Sequence, residues 1–542
     1  MSSKPSQEIM DTPIHIDTPL EEIGEVYNKL KDCFHSGITT SLDYRIYNLK
    51  QLGYLLHDNE KRIELALKLD LDKGRQDMAL SDLMATYNEI ELAIRCTKKW
   101  MKDETQYKDA LLAYKFMRPS VKKQPRGLAL IISPWNFPWQ CSLCPLVGAI
   151  AAGCPAIIKP SELAPTSSAL LAELLPRYLD PEGYAVVLGG VEQSTKLLEY
   201  QWGHILFTGS NRVGKLVAAA GAKTLSPTTL ELGGKSPVIL SSCADVRIAA
   251  ARMFSIKQFS CGQMCVAPDY VLCAKDRVDD FVEACKDVLK TQYPSSPDPN
   301  AMIHSPSTSA MQNEAAFQRQ MNILDKAEAE GKLVYRGEED RLRRRMGFSV
   351  VKLNEDGKDE TGPLVEEELF GPVLPVIPVR DIDAAIRYIN SRPHPLALYV
   401  CSSKRSAFDK VVNETTSGSI TWNDFGFATI SRTQPFGGVG DSGWGSYHGY
   451  DGFRTFSHFK TVIKVPLIFE PIMSLRYPPM SRLKENLFVY FLCMGIPYNR
   501  PVSVEDERRK RRRGEMISWV IWIIGITIVG YGLWVLIRNK LA

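Results

Sequence analysis

Between Pro19 and about Asp103 the apolar residues recur three and four positions apart, as in RIYNLKQLGYLLHDNEKRIELALKLDL and DLMATYNEIELAIRCTKKWM. That period predicts a front end of amphipathic helices. After Pro125 the pattern changes to short apolar runs closed by Gly or Pro, namely GLALIISP, CPAIIKP, AVVLGG and HILFTGS, each followed by a helix-like stretch. Runs of this kind fit strands buried on both faces, so an α/β fold with parallel strands alternating with helices is expected. A second set of strand-like and helical segments extends from Ser236 to about Ile430, interrupted by a polar stretch from Ser295 to Ser307 that reads as a surface loop. The segment GEEDRLRRRMG, 337–347, places seven charges in the eight residues from Glu338 to Arg345 and reads as a solvated loop or helix face.

The chain ends differently. From Met516 to Ile537 there is no charged side chain, and 22 helical residues at 1.5 Å each span about 33 Å, enough for a hydrocarbon core. Seven Ile, three Val and two Leu in this window would contribute at most about −4 to −7 kcal/mol to insertion. Trp519, Trp522 and Trp534 lie towards its two ends, and the basic run Arg508–Arg513 precedes it. A transmembrane helix over 516–537 is expected, with the basic flank 508–513 and the bulk of the chain on the cytosolic side. Only five residues follow, so insertion as a tail anchor after synthesis is expected. The mitochondrial outer membrane, endoplasmic reticulum, lipid droplet and peroxisome all stay open as destinations.

Length and charge narrow the picture further. A chain of 542 residues exceeds one compact core, so two or three packed modules are expected. The net charge is only +4, and the basic excess sits at the C-terminus, which argues against a nucleic-acid-binding face. Twelve cysteines scattered from Cys33 to Cys493 read as free thiols of a reducing compartment, not as a disulfide framework. No N-terminal targeting pattern is visible.

Candidate chemistry sits in short motifs. Cys265, in FSCGQMCVAPDY, offers a nucleophilic thiol, although Cys261 four residues earlier could equally be the reactive one. Glu231 opens ELGGKSP, where two glycines permit close approach of a ligand, but it could also be a helix-terminal carboxylate. Asn136, in SPWNFPWQ, lies on a proline-stiffened loop and could donate to a developing oxyanion, or be a turn residue. Gly209 and Gly214 in FTGSNRVGKLV follow a strand-like run and open a helix-like one, a place where free N–H groups face a cofactor. This is not G-x-G-x-x-G, and as a fingerprint it is weak. Lys159 and Glu162 in KPSE end another strand-like run and could hold ribose hydroxyls.

Taken in order, WNFP, KPSE, FTGS with Gly214, ELGGKSP, GQMC and ELFGP resemble the aldehyde dehydrogenase superfamily, with Cys265 34 positions after Glu231. The later stretches QPFGGVGDSGWGSYHGYDGFRTFSHFK and LRYPP resemble its class 3 branch, which includes membrane-bound fatty aldehyde dehydrogenases. Residue 264 is Met where the family usually has Thr. The resemblance implies a Rossmann-like cofactor domain from 20–104 and 125–231, after an N-terminal tail, 1–19. It implies a catalytic α/β domain at 232–433 and bridging strands at 105–124 and 434–467 that complete a homodimer. The C-terminal extension, 468–507, reads from its own residues as a candidate substrate-entrance element. The resemblance makes Cys265 the nucleophile, Asn136 with the Cys265 N–H the oxyanion donors, and Glu231 the base that hydrolyses the thioester. By the same resemblance Lys159, Glu162, Gly209, Ser210, Gly214, Glu368 and Phe370 line the cofactor. Glu162 would repel a 2′-phosphate, so NAD is expected with NADP possible, and no metal is implied. Hydrophobic, long-chain aldehydes are the expected substrates, drawn from membrane lipid. Aromatic or broad-range aldehydes, acyl transfer to coenzyme A, and a non-catalytic membrane scaffold are the alternatives.

Overall fold

The computed structural model describes residues 12–105, 115, 117–293, 301–305, 308–358, 360–492, 500–517 and 519. The periodic front end folds into helices Leu20–Ser36, Leu42–Asp58, Glu60–Leu71 and Met84–Trp100. Each buries a mainly apolar stripe, such as Leu49, Leu52, Leu55 and Leu56 of the second. The last is preceded by a π-helical turn, Ala79–Leu83, a rare geometry that concentrates at functional sites.

The apolar runs after Pro125 become strands Ala129–Ile132, Ala156–Lys159, Tyr184–Val186 and His204–Gly209, which pair in parallel with one another and with Thr228–Leu232. Their near-continuous burial follows from helices covering both faces. The Gly443–Trp444 strand closes the edge of this six-stranded sheet, running antiparallel to Thr228–Leu232 with Gly443 opposite Glu231.

A seven-stranded sheet follows in the order Leu333–Tyr335, Ser349–Lys352, Val373–Val379, Tyr270–Ala274, Pro237–Leu240, Ala397–Cys401, Ser419–Trp422. All its pairs are parallel except the first. Both sheets belong to one compact unit, residues 1–103 and 122–460.

A second unit comprises residues 104–121 and 461–542. In it Glu104–Thr105 pairs antiparallel with the start of Ser120–Pro125. It also contains the helix Arg482–Leu492, with Leu483 and Val489 exposed, and a helix over 504–517 carrying the basic run. The expected span, 516–537, falls almost wholly outside the described residues, as does most of the 295–307 loop. Among the described residues no helix is long and apolar enough to cross a membrane.

The charge-dense 337–347 segment differs from the solvated loop or helix face expected. It forms a hairpin of Glu339–Asp340 with Arg345–Met346. Arg341 and Arg343 face solvent, but Arg345 is buried, donating to Asp72 at 2.6 Å and to the carbonyls of Ile303 and Ser305 at 3.0 and 2.8 Å. Those carbonyls have to find donors on leaving water, and a guanidinium fork supplies several at once.

Candidate active site

Cys265 and Glu231 line the same narrow cavity of about 150 Å³. Its walls are largely apolar, with Leu80, Met84, Phe137, Ile256 and Phe436 among them. Cys265 follows a turn in which Ser260, Cys261 and Gly262 all take left-handed backbone angles, φ 50°, 55° and 75°. The two non-glycine residues cost about 1–3 kcal/mol each, so surrounding bonds have to hold them. A Cβ at Gly262 would run into the carbonyl oxygen of Gly371, so the turn closes directly on the ELFGP segment.

The sequence left two cysteines open, and the structure separates them. Cys261 is fully buried, its thiol directed at the Met346 carbonyl 3.7 Å away. Cys265 alone of the two lines the cavity. Burial, with the carboxylates of Glu368 and Glu231 adding, pushes its thiol up to about 12, against the opposing pull of its own and Val266's N–H groups. The chain around it is pinned by Ser236, whose hydroxyl donates to the Cys265 carbonyl at 3.3 Å, and by Tyr399, which donates to Val266 at 2.6 Å.

Glu231 sits on a strand buried between sheet neighbours, and neither carboxylate oxygen has a hydrogen-bond partner in the protein. Burial alone drives its pKa well above the ordinary 4.5. An unpartnered, desolvated carboxylate facing a cavity is primed to accept a proton there. Asn136 is buried beside the thiol segment, its amide donating to the Gln263 carbonyl at 2.9 Å. That amide carries a second N–H.

The cofactor-side candidates are separated in sequence and gathered at the ends of the first sheet's strands. Lys159 closes the Ala156–Lys159 strand and donates to Glu162 at 2.8 Å. Burial opposes the charge on Glu162, but the Lys159 ammonium outweighs it and holds the carboxyl below its usual range. Gly209 closes the His204–Gly209 strand, and Ser210 caps the helix Asn211–Thr224, its hydroxyl accepting the Val213 N–H at 3.5 Å. At Gly214 a Cβ would come within 2.5 Å of Leu232, so glycine lets this helix lie against the sheet.

Glu368 lies against Gly233 and lines a separate cavity of about 220 Å³ with Asn211 and Gly234. Burial and the nearby Asp269 carboxylate raise its pKa to about 8. The Phe370 ring meets Trp135, the neighbour of Asn136, edge-on at 5.7 Å. This set suits a dinucleotide: a helix N-terminus for phosphate, a paired carboxylate for ribose hydroxyls and glycines where a side chain would intrude.

Several residues that hold the site were not singled out from sequence. Asp269 accepts the Leu369 N–H at 2.9 Å and pairs with Lys235, whose ammonium also reaches the Glu367 carbonyl at 2.7 Å. Arg319 and Gln320 donate to the Leu369 carbonyl at 2.8 and 2.7 Å. Together they fasten Glu368 and Phe370. Lys235 and Asp269 belong to the quoted motifs ELGGKSP and FSCGQMCVAPDY, so their types were visible, though not their pairing.

Comparisons with known proteins agree with this geometry. Residues 17–462 match the Aldehyde dehydrogenase family. The chain is 39% identical to mouse aldehyde dehydrogenase family 3 member B3 over 87% of its own length and 95% of the relative's. It is 37% identical to rat family 3 member A2, over 86% and 93%. Among solved structures it is similar to the substrate-bound state of Staphylococcus aureus AldH, with 33% identity, a TM-score of 0.80, and coverage of 86% of this chain and 99% of that one. By fold and by kinship to its family 3 members, the chain belongs to the aldehyde dehydrogenase family and is an NAD(P)-dependent aldehyde dehydrogenase.

Proposed function

We propose that this dehydrogenase oxidises hydrophobic, long-chain aldehydes to carboxylic acids at a membrane surface, through a thiohemiacetal and then a thioester on Cys265. The observation that carries the reading is the shared cavity: the thiol of Cys265 and the free carboxylate of Glu231 meet in one narrow, apolar-walled space. Such walls favour an alkyl chain over a polar substrate.

In this reading the Cys265 sulfur bonds to the carbonyl carbon, and the carbonyl oxygen, now an oxyanion, accepts from the Asn136 amide and the Cys265 N–H. The Cys265 thiol gives its proton to solvent as the C–S bond forms, and Glu231, whose oxygens have no other partner, takes a proton from the water that cleaves the thioester. NAD, when bound, supplies the hydride acceptor. Lys159 and Glu162 hold the adenosine ribose, while Gly209, Ser210 and Gly214 lie along the cofactor. Glu368 with Phe370 steadies the nicotinamide ribose. Glu162 accepts from a ribose hydroxyl but repels a 2′-phosphate, so NAD is preferred and NADP tolerated.

The apolar, charge-free stretch from Met516 to Ile537 behind Arg508–Arg513 supports tail anchoring with the catalytic body in the cytosol. Long-chain aldehydes partition into bilayers, so an anchored enzyme meets them at raised local concentration. The expected bridging strands support a homodimer. The rings of Phe137, Phe259 and Phe436 in the cavity also favour aromatic aldehydes. NADH formation measured over a series from hexanal to hexadecanal, with benzaldehyde alongside, tests the reading. Rising kcat/KM with chain length and loss of activity in Cys265→Ala support it, while activity that survives Cys265→Ala overturns it.

A further inference from the structure

Beneath the cavity lies a buried ionic cluster of Lys73, Asp77 and Asp82, each almost wholly excluded from solvent. The Lys73 ammonium donates to Asp82 at 2.8 Å and stands 3.9 Å from Asp77, with the Phe137 ring 4.0 Å from it on another side. One cation serves two carboxylates, so the remaining negative charge has to be met by hydrogen-bond donors.

The backbone donors among them come from the two segments that carry the proposed chemistry. Asp77 accepts the backbone N–H of Ser260 and the hydroxyl of Ser309, both at 2.8 Å. Ser260 is the first residue of the left-handed turn that leads to Cys265. Asp82 accepts the N–H groups of Trp139 and Gln140 at 3.2 and 3.3 Å. These open the helix Pro138–Ala152, directly after Asn136, where the helix dipole favours a carboxylate. Ser81, between them in the π-helical turn, has its hydroxyl 2.7 Å from the Asp77 carbonyl and within 3.1 and 3.3 Å of the two carboxylates, and it also lines the cavity.

We propose that this cluster sets the spacing of the nucleophile and the oxyanion donor, with Asp77 the positioning residue for the Cys265 turn and Asp82 for Asn136. A buried ion pair by itself contributes little to stability. What this one does is bring two segments, 183 and 57 residues away in sequence, to a common reference. The strained turn needs a bond of fixed length, and the Asp77 carboxylate supplies it. Asp77 acts through geometry more than through charge, because Lys73 already has its closer partner in Asp82.

The proposal rests on Cys265 as nucleophile, and the experiment keeps the two apart. In the full-length protein, Asp77 is changed to Asn, to Glu and to Ala. The single-turnover NADH burst with hexanal and the rate of Cys265 alkylation by iodoacetamide are measured, with the KM for NAD and the thermal midpoint as controls. Asparagine keeps the length and an acceptor for the Ser260 N–H, so Asp77→Asn should acylate within about threefold of wild type. Asp77→Glu keeps the charge but moves the oxygens, and Asp77→Ala removes them. Both should acylate at least about tenfold more slowly at unchanged KM for NAD. An Asn form as slow as the Ala form, or a Glu form at the wild-type rate, overturns the proposal. If neither Glu nor Ala folds, the Asn form decides alone: a tenfold fall refutes positioning by geometry, and a near-wild-type rate supports it. Activity surviving in Cys265→Ala, run in parallel, would refute the nucleophile itself. A dead Cys265→Ala with an Asp77 series ordered by charge refutes only the positioning role.

Discussion

Asn136 gives its side-chain amide to the carbonyl of Gln263 at 2.9 Å, which ties the loop after the Ala129–Ile132 strand to a point two residues before Cys265. One N–H holds the thiol segment, and the other is free for a substrate oxygen. Replacing Asn136 by Ala should therefore act twice. Loss of an oxyanion donor lowers kcat about 10²–10³-fold, and loss of the Gln263 contact costs about 1 kcal/mol of stability. Steady-state kinetics and a thermal melt read the two separately.

Glu231 gives a pH dependence whose sign follows from burial. Its folded pKa lies above the ordinary 4.5. Stability is thus fully present below about pH 4.5 and declines as pH rises from there through the folded pKa, because only the unfolded chain ionises freely. Glu231→Gln should flatten that decline in a series of melts. The same variant should release one burst of NADH and then turn over at least about 10²-fold more slowly, since no base remains for the thioester. In the wild type, the hydrolysis step should quicken as pH rises, with an apparent pKa above the usual carboxylate range.

Cys261 and Cys265 should part company under mutation. Cys265→Ala should abolish turnover while leaving the melt nearly unchanged, because its thiol lines a cavity. Cys261→Ala should cost about 1 kcal/mol through the lost buried sulfur and keep turnover in the fraction that folds. Peptide mapping after brief iodoacetamide treatment should show a modification at Cys265 that Cys265→Ala removes and that Cys261→Ala leaves in place.

Glu162 should govern cofactor choice. Glu162→Gln removes the negative charge that faces a ribose 2′ position in the proposed complex. It should raise the ratio of kcat/KM for NADP over NAD by about tenfold, or 1.4 kcal/mol. Lys159, buried and bonded to Glu162, is the other arm of the pair. Lys159→Met should weaken both cofactors, and parallel initial-rate measurements with each would show it.

Most of the site was legible because it lies in contiguous motifs at strand ends. A strand buried on both faces has to be apolar along its length, so AIIK and HILFTG announce themselves, and the polar residue after each marks where chemistry can start. The Lys73–Asp77–Asp82 cluster could not be read in this way. Lys73 sits in the link after the helix Glu60–Leu71, and Asp77 and Asp82 among polar positions of the helical front end, the positions that pattern alone assigns to water. They are buried because Ser260, Trp139 and Gln140 bring N–H groups that need acceptors. Arg345 escaped for the same reason: within a charge run, nothing local tells which arginine has carbonyls to satisfy. The π-helical turn at Ala79–Leu83 leaves no mark on the pattern either, although it brings Leu80, Ser81 and Met84 to the cavity.

The pairing of Gly443 with Glu231 bears on how the protein comes into being. Until the ribosome has made Gly443–Trp444, the strand that carries Glu231 is an open edge, with its backbone groups unpaired on one side. Trp444 then bonds the Thr228 carbonyl at 3.0 Å and seals that edge. A nascent chain that has already released Asn136, Glu231 and Cys265 from the ribosome is still without a finished site. Oxidising power therefore arrives late in synthesis, and a message truncated before codon 443 yields protein with an unsealed strand, a natural target for chaperones and proteases.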